Sequence, residues 1–167
     1  MEQKLPWPYK EGYNYDAEHI RIEVYRLLNQ FLAQEKTQKL MEENGLFHNA
    51  IDQVGQYFDV ETQRILISAA TISRVIDDNE EQQFRLSNFN TACGVLIENT
   101  EESQEIELTL REACNKIMHA SAYRYDIDEE HGFITPTIYL YGSYKKKQWK
   151  ATIDIVKFAS EYLNNIV

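Results

Sequence analysis

Three polar side chains with complementary chemistry, Arg111, Asn115 and His119, follow one another at intervals of four residues. In a helix this spacing places them one above another on a stripe about 80° wide, because 3.6 residues complete a turn. Imidazole exchanges protons near neutral pH, and guanidinium neutralises phosphoryl oxygens through paired donors. His119 as acid or base, Arg111 as phosphate clamp and Asn115 as orienting group would suit metal-independent cleavage of an RNA phosphodiester.

The same stripe also has a purely structural interpretation. A histidine in the last turns of a helix stabilises the macrodipole, and Arg111 can pair with Glu107 four residues earlier. Two further cations, Arg74 and Lys116, are weaker binding candidates, Arg74 because its predicted helix could face the stripe across a bundle. From the residues alone, both interpretations of the stripe stay open.

Hydrophobic periodicity predicts four helices in the first three quarters of the chain. The first is capped by Asp16 and extends as far as Asn44, and the second follows at once. The third starts near Val60, and the acidic run 77–81 after it is predicted to be an exit loop, because acid at a helix C-terminus opposes the macrodipole. The fourth spans about 104–123.

Segment 82–103 is hard to assign, and 93–98 fits either a short helix or a strand. The predicted buried positions are Ile20, Val24, Leu27 and Phe31, then Phe47, Ile51, Val54 and Phe58, then Ile65, Ala69, Ile72 and Ile76, and finally Ile106, Leu110, Ala113 and Ile117.

After residue 133 the period changes to two, which is typical of strands. Apolar and polar residues alternate on both sides of a lysine-rich tip, Lys145–Lys147, so a β-hairpin is predicted at about 133–153. Pro136 favours an edge position for its strand. A short terminal helix at about 154–166 closes the chain, with predicted buried positions Val156, Ala159, Leu163 and Ile166.

These elements predict a mainly α fold, an antiparallel bundle of four to five helices with an appended C-terminal β-hairpin and a short terminal helix. Residues 15–167 form one predicted domain, and residues 1–14, which are rich in proline and aromatic residues, form an extended arm.

The segment from Leu110 to Ala120, LREACNKIMHA, resembles the motif helix of HEPN-domain proteins. The resemblance implies an all-helical, commonly dimeric protein whose ribonuclease members place an Arg four to six residues before a His, often with Asn directly after the Arg. Here Cys114 precedes Asn115, and seven residues separate Arg111 from His119. Either alignment breaks the motif, and this departure indicates a degenerate ribonuclease site.

The resemblance implies a bacterial, HEPN-like, dimeric interaction or RNA-associated module of a defence or toxin–antitoxin system. An active metal-independent endoribonuclease using His119 and Arg111 is the first alternative, and an orphan helical interaction domain is the second. A homodimer with an RNA or protein partner is therefore expected. The sequence contains no recognisable cofactor or metal motif, and none is predicted.

Composition limits the partners further. The 167 residues carry a formal net charge of −10 with a sequence pI near 4.9, which disfavours generic binding of polyanions. A local basic patch could still contact RNA. The two cysteines, Cys93 and Cys114, do not make a disulfide framework, and no stretch approaches the roughly 18 apolar residues that a membrane span needs. A cytoplasmic location without membrane contact is expected.

Overall fold

The computed structural model describes residues 17–44, 48–78 and 91–165. The predicted arm at 1–14 and the Asp16 cap lie outside these residues. The described chain forms five helices and five strands, in the order α1 (Ala17–Leu32), α2 (Gln34–Asn44), α3 (His48–Asp78), β1 (Ala92–Ile97), β2 (Glu105–Thr109), α4 (Leu110–His119), β3 (Ala122–Ile127), β4 (Ile134–Tyr144), β5 (Lys147–Asp154) and α5 (Ile155–Asn165).

The five strands form one antiparallel sheet in the order β2-β1-β5-β4-β3. The β1–β2 hairpin and the β3–β4–β5 meander each supply one side, and β5 joins them at the centre. Helix α4 connects β2 at one edge to β3 at the opposite edge. The helix that carries the predicted stripe therefore has a strand directly before it and another directly after it in the chain.

Helices α1, α4 and α5 pack directly on one face of the sheet, and α2 contacts β4. Helix α3 packs on α1 and α4 and reaches the sheet through the tyrosines of β3, so the fold has a helical layer and a sheet layer. Alternate residues of β4 and β5, including Ile138, Leu140, Ala151 and Ile153, are buried under these helices. Each large aliphatic side chain buried in this way contributes about 1.5–3 kcal/mol. The predicted α1 core is confirmed, with its four apolar positions from Ile20 to Phe31 all buried.

The predicted mainly α bundle with an appended hairpin is wrong, because the hairpin is part of a five-stranded sheet that forms a complete layer of the fold. The predicted fourth helix at 104–123 is in fact β2, α4 and the start of β3. Ile106 is four residues before Leu110 and so matched a helical pattern, but residues 105–108 also alternate in period two. The Thr109 side chain accepts a hydrogen bond from the Glu112 N–H at 3.4 Å, and this cap starts the helix after the strand.

The helix boundaries before residue 79 also differ from the prediction. The second and third predicted helices are one continuous helix, α3, because the buried positions from Phe58 to Ala69 keep a helical period past Val60 with no breaker. The first predicted helix instead ends at Leu32, and α2 begins at Gln34.

Pro136 does not lie on an edge strand, since β4 has β3 and β5 on either side. It lies opposite a β-bulge, where the register shifts between Tyr125 and Ile127, and β5 pairing starts only at Thr137. A proline is tolerated there because no regular ladder partner needs its missing N–H. The terminal helix is turned from its predicted face, with Ile155, Phe158, Ala159 and Tyr162 buried and Val156 exposed.

Candidate functional site

The predicted stripe lies on the accessible side of α4. Arg111 and His119 are exposed and Asn115 is partly exposed, while the opposite side of the helix is buried. The Asn115 amide donates to the Glu112 carboxylate at 3.4 Å, which uses part of its hydrogen-bonding capacity within the helix. The three side chains share a surface, but none of them lines the groove between α3 and α4 or the cavity at the end of the sheet, both described below.

Arg74 lies near the first half of α4. Its charge is close enough to Cys114 to lower the thiol pKa, although burial is the larger effect and raises that pKa to about 12. Earlier in α3, Leu66 and Ile67 share a groove with Ile117 and Ala120, which are in the second half of α4. Since the later residue Arg74 is near Cys114, the two helices are antiparallel. Arg74 is therefore at the Arg111 end of α4, and His119 is five residues beyond Cys114, about 7.5 Å along the helix axis.

Lys116 lies in a different place from the stripe and contacts the sheet. Its side chain is only 15% exposed, and its Nζ is 3.1 Å from a Glu112 oxygen and 4.8 Å from the Trp149 ring centroid. It lines a cavity of about 540 Å³ at the end of the sheet, between the β1–β2 and β4–β5 turns. Lys145 and Lys147 of the predicted basic tip line the same cavity, here called the end cavity.

The second accessible surface is the side of the sheet away from α1, α3, α4 and α5. Its side chains form two rows that cross all five strands, and we call these two rows the open face. In order from β2 to β3, the first row is Glu107, Val95, Thr152, Tyr139 and Arg124, and the second is Glu105, Ile97, Lys150, Tyr141 and Ala122.

Cations and tyrosines alternate on the β3–β4–β5 half of the open face. Lys150 Nζ lies 4.5 Å from the Tyr139 ring centroid, and the Arg124 guanidinium lies 5.7 Å from that of Tyr141. The Tyr139 hydroxyl donates to Asp126 at 2.8 Å, and this hydrogen bond, with burial, raises the pKa of Tyr139. The exposed β2 edge carries the opposite charge on Glu105 and Glu107.

Sequence reasoning did not find the open face as a site. The alternation of Tyr139 and Tyr141 with buried residues was visible, and it correctly predicted a two-sided strand. Glu107 was missed because β2 was assigned to a helix. Arg124 was missed because that predicted helix took in only the start of β3, and the rest of the strand was left without an element. Only the pairing of distant strands brings these charges onto one surface with the tyrosines.

A carboxylate cluster between α3 and β3 was also missed. Asp59 accepts hydrogen bonds from the hydroxyls of Tyr123 at 2.6 Å and Tyr125 at 2.8 Å, and from the Gln63 amide at 2.9 Å. Burial, followed by the hydrogen bond to Asp59, raises the pKa of Tyr123 to about 12 and raises that of Tyr125 further. The carboxylate fits a structural cross-link, because the donors to it are side chains of α3 and β3.

Within residues 17–44, 48–78 and 91–165, no three His, Cys, Asp or Glu side chains come together in a group that could hold a metal ion. In the same part of the chain, no helix has the length and apolar character that crossing a bilayer requires. Cys93 and Cys114 are both buried free thiols.

The HEPN resemblance now rests on α4 alone, because this helix lies between two strands and not inside an all-helical bundle. No protein-family model, curated protein or solved structure matches the chain.

Proposed function

We propose that this protein is a homodimeric interaction module that associates through the open face of its sheet. The observation that carries the proposal is the charge pattern of that face. Acidic Glu105 and Glu107 occupy one edge, and basic Arg124 occupies the other, where the Asp126 carboxylate accepts from Tyr139. Between the edges lie tyrosines, aliphatic side chains and, on the central strand, Thr152 and Lys150. Aromatic and aliphatic side chains framed by charged residues are typical of protein interfaces, and Lys150 is the one charge at the centre.

The pattern is complementary to itself under one particular symmetry. A two-fold axis in the interface plane, parallel to β5, places β2 of one copy over β3 of the other, because β5 is the central strand. Glu107 then faces the partner's Arg124 twice in each dimer, since both belong to the same row. The twist of about 30° between packed sheets displaces the edge strands, about 10 Å from the axis, by about 5 Å, a distance within the reach of the long Glu107 and Arg124 side chains. A two-fold axis perpendicular to the strands would instead place Glu107 opposite the partner's Glu107.

A second copy explains the open face better than a nucleic acid does. The Tyr139 and Tyr141 rings lie beside Lys150 and Arg124, so bases could stack on them only after these contacts separated. Two glutamates on the same face would repel phosphates, and the net charge of −10 adds to this repulsion at long range.

Charge reversal tests the proposed arrangement. Arg124→Glu and Glu107→Arg each create two repulsive pairs per dimer, and each variant should be monomeric at concentrations where the wild type is dimeric. At about 1 kcal/mol for each pair, the expected weakening is about 30-fold in the dimer dissociation constant. Sedimentation velocity over a concentration series measures this constant.

Mixing the two variants is the decisive experiment, because the reversed charge of each is complementary to the charges of the other. Arg124→Glu and Glu107→Arg together should form a heterodimer with both attractive pairs restored, and the double variant should again form a homodimer. Glu101→Arg and Lys157→Glu, which reverse exposed charges away from the open face, are the matched controls. A wild-type protein that stays monomeric at millimolar concentration, or single variants that dimerise normally, would refute the proposal.

The open-face dimer also bears on the ribonuclease hypothesis. Helix α4 lies on the covered side of the sheet, so the two copies of His119 would be on opposite outer surfaces with both sheets between them. A composite cleft containing both histidines is incompatible with this dimer. RNA cleavage that requires His119 in a dimer would therefore favour the first alternative over our proposal.

A further inference from the structure

The end cavity joins two basic features that are distant in the sequence. Lys116 on α4 and the turn residues Lys145 and Lys147 line one cavity of about 540 Å³, a volume typical of small-molecule sites. We propose that this cavity binds a small aromatic carboxylate. This inference does not depend on the dimer, because Trp149, which lines the cavity, points to the covered side of the sheet.

Lys116 is the group best placed to receive the carboxylate. Its ammonium is largely shielded from solvent, and an ammonium has three N–H donors. Glu112 accepts from one side and the Trp149 ring covers another, which leaves a donor for a ligand in the cavity. A charge-assisted hydrogen bond in such a shielded place is stronger than one at the surface.

The charges around the cavity favour an anion with a single charge. Three lysines and two glutamates, Glu98 and Glu102, line it, so the lining itself has one net positive charge, and Glu112, which pairs with Lys116, lies outside the lining. Glu102 is already engaged, because the Asn99 amide donates to it at 2.6 Å and Lys147 is 3.9 Å away. A dianion such as a phosphate monoester would exceed the available compensation. Ile106, Tyr144 and Trp149 add an apolar lining that suits an aromatic ring.

The β4–β5 turn supplies an independent observation. Tyr144 pairs with Lys147, and the two residues between them, Lys145 and Lys146, have φ of 47° and 68°. A two-residue turn with both φ values positive favours Asn-Gly, and lysine there is strained. Of these two lysines, Lys145 lines the end cavity, and a lysine at a strained position is expected when its side chain has a binding role.

Three probes with the same ring test the charge assignment. Phenylacetate, phenylacetamide and phenyl phosphate are titrated into the full-length chain, and amide shifts are followed by ¹H–¹⁵N correlation spectra. Phenylacetate should bind with a dissociation constant of about 1–10 mM, the range expected for a ligand of this size. Phenylacetamide, which lacks the charge, should bind at least about tenfold more weakly.

Two variants then test the cavity itself. Lys116→Gln should weaken phenylacetate binding about tenfold. Lys145→Asn combined with Lys146→Gly should raise the Tm by about 2–4 °C while weakening binding at least about threefold. Opposite effects on stability and affinity cannot come from misfolding. Lys157→Gln, on an exposed side chain of α5, is the control and should change neither.

The proposal is overturned if phenylacetate does not bind at 50 mM (about fivefold above the top of the expected range), or if its amide binds equally well. It is equally overturned if the cavity variants bind like the wild type, or if phenyl phosphate binds more tightly than phenylacetate. None of these results bears on the sedimentation test of the dimer.

Discussion

At the scale of single residues, burial determines the reactivity of the two thiols. Cys93 and Cys114 are both fully buried, and burial is the main cause that raises the pKa of each to about 12. A pKa about four units above pH 8 leaves only about one thiol in 10⁴ as the nucleophilic thiolate. Neither cysteine has the electropositive, accessible surroundings of a reactive thiol.

We therefore expect neither cysteine to react with iodoacetamide in the native protein at pH 8 over an hour. Both should react within minutes in 6 M guanidinium chloride, because unfolding restores ordinary thiol pKa values near 8.5. Intact-mass measurement counts the added groups. Rapid modification of one site in the native state would contradict the burial described here.

Arg111, Asn115 and His119 illustrate how far spacing determines a site. Their common stripe depends only on helical geometry, and the structure places all three on the accessible side of α4. A catalytic role also needs a groove and opposing groups, which depend on distant segments. The assignment of His119 as acid or base therefore stays a prediction.

At the scale of elements, the Asp59 cluster joins helix α3 to strand β3. Its carboxylate accepts from Tyr123, Tyr125 and Gln63, so removing it leaves several polar groups without their partner. Unsatisfied, partly buried donors cost about 1–3 kcal/mol each.

Asp59→Ala should therefore lower the free energy of unfolding by about 2–4 kcal/mol, measured by urea denaturation. Tyr123→Phe removes the hydrogen bond to Asp59 and the one that the Tyr123 hydroxyl accepts from the Gln63 amide, but leaves Tyr125 bonded to Asp59. It should therefore cost about 1–2 kcal/mol, less than Asp59→Ala. Glu130→Ala, at an exposed position in the β3–β4 connection, is the neutral control. A loss below about 0.5 kcal/mol in Asp59→Ala would show that the cluster does not hold the two elements together.

At the scale of the whole molecule, the uncovered sheet face makes a prediction about Lys150. This residue is on the central strand, so in the proposed dimer it faces its own copy across the two-fold axis. Two like charges at this position weaken association. If the face instead bound nucleic acid, the same ammonium would strengthen binding.

Lys150→Met should therefore tighten the dimer by about three- to tenfold, corresponding to about 1 kcal/mol of relieved repulsion. Lys157→Met is the control for a general effect of lost charge. Sedimentation velocity measures the dissociation constant, and an unchanged or weaker dimer in Lys150→Met would argue against an axis parallel to β5.

The sequence by itself determined the features that arise from local periodicity. These are the buried face of α1, the accessible stripe of α4 and the β4–β5 hairpin, since helical and hairpin contacts join residues close in the chain. Only the tertiary structure decided how the remaining segments pair. Strands β1, β2 and β3 are short, and their hydrogen bonds are made with residues that local patterns do not specify, so a helix was predicted across β2 and the start of β3. The same long-range pairing is the reason that the fold is a two-layer sheet protein and not the predicted helical bundle. It also forms the open face and places Lys116 in one cavity with the lysines of the hairpin turn.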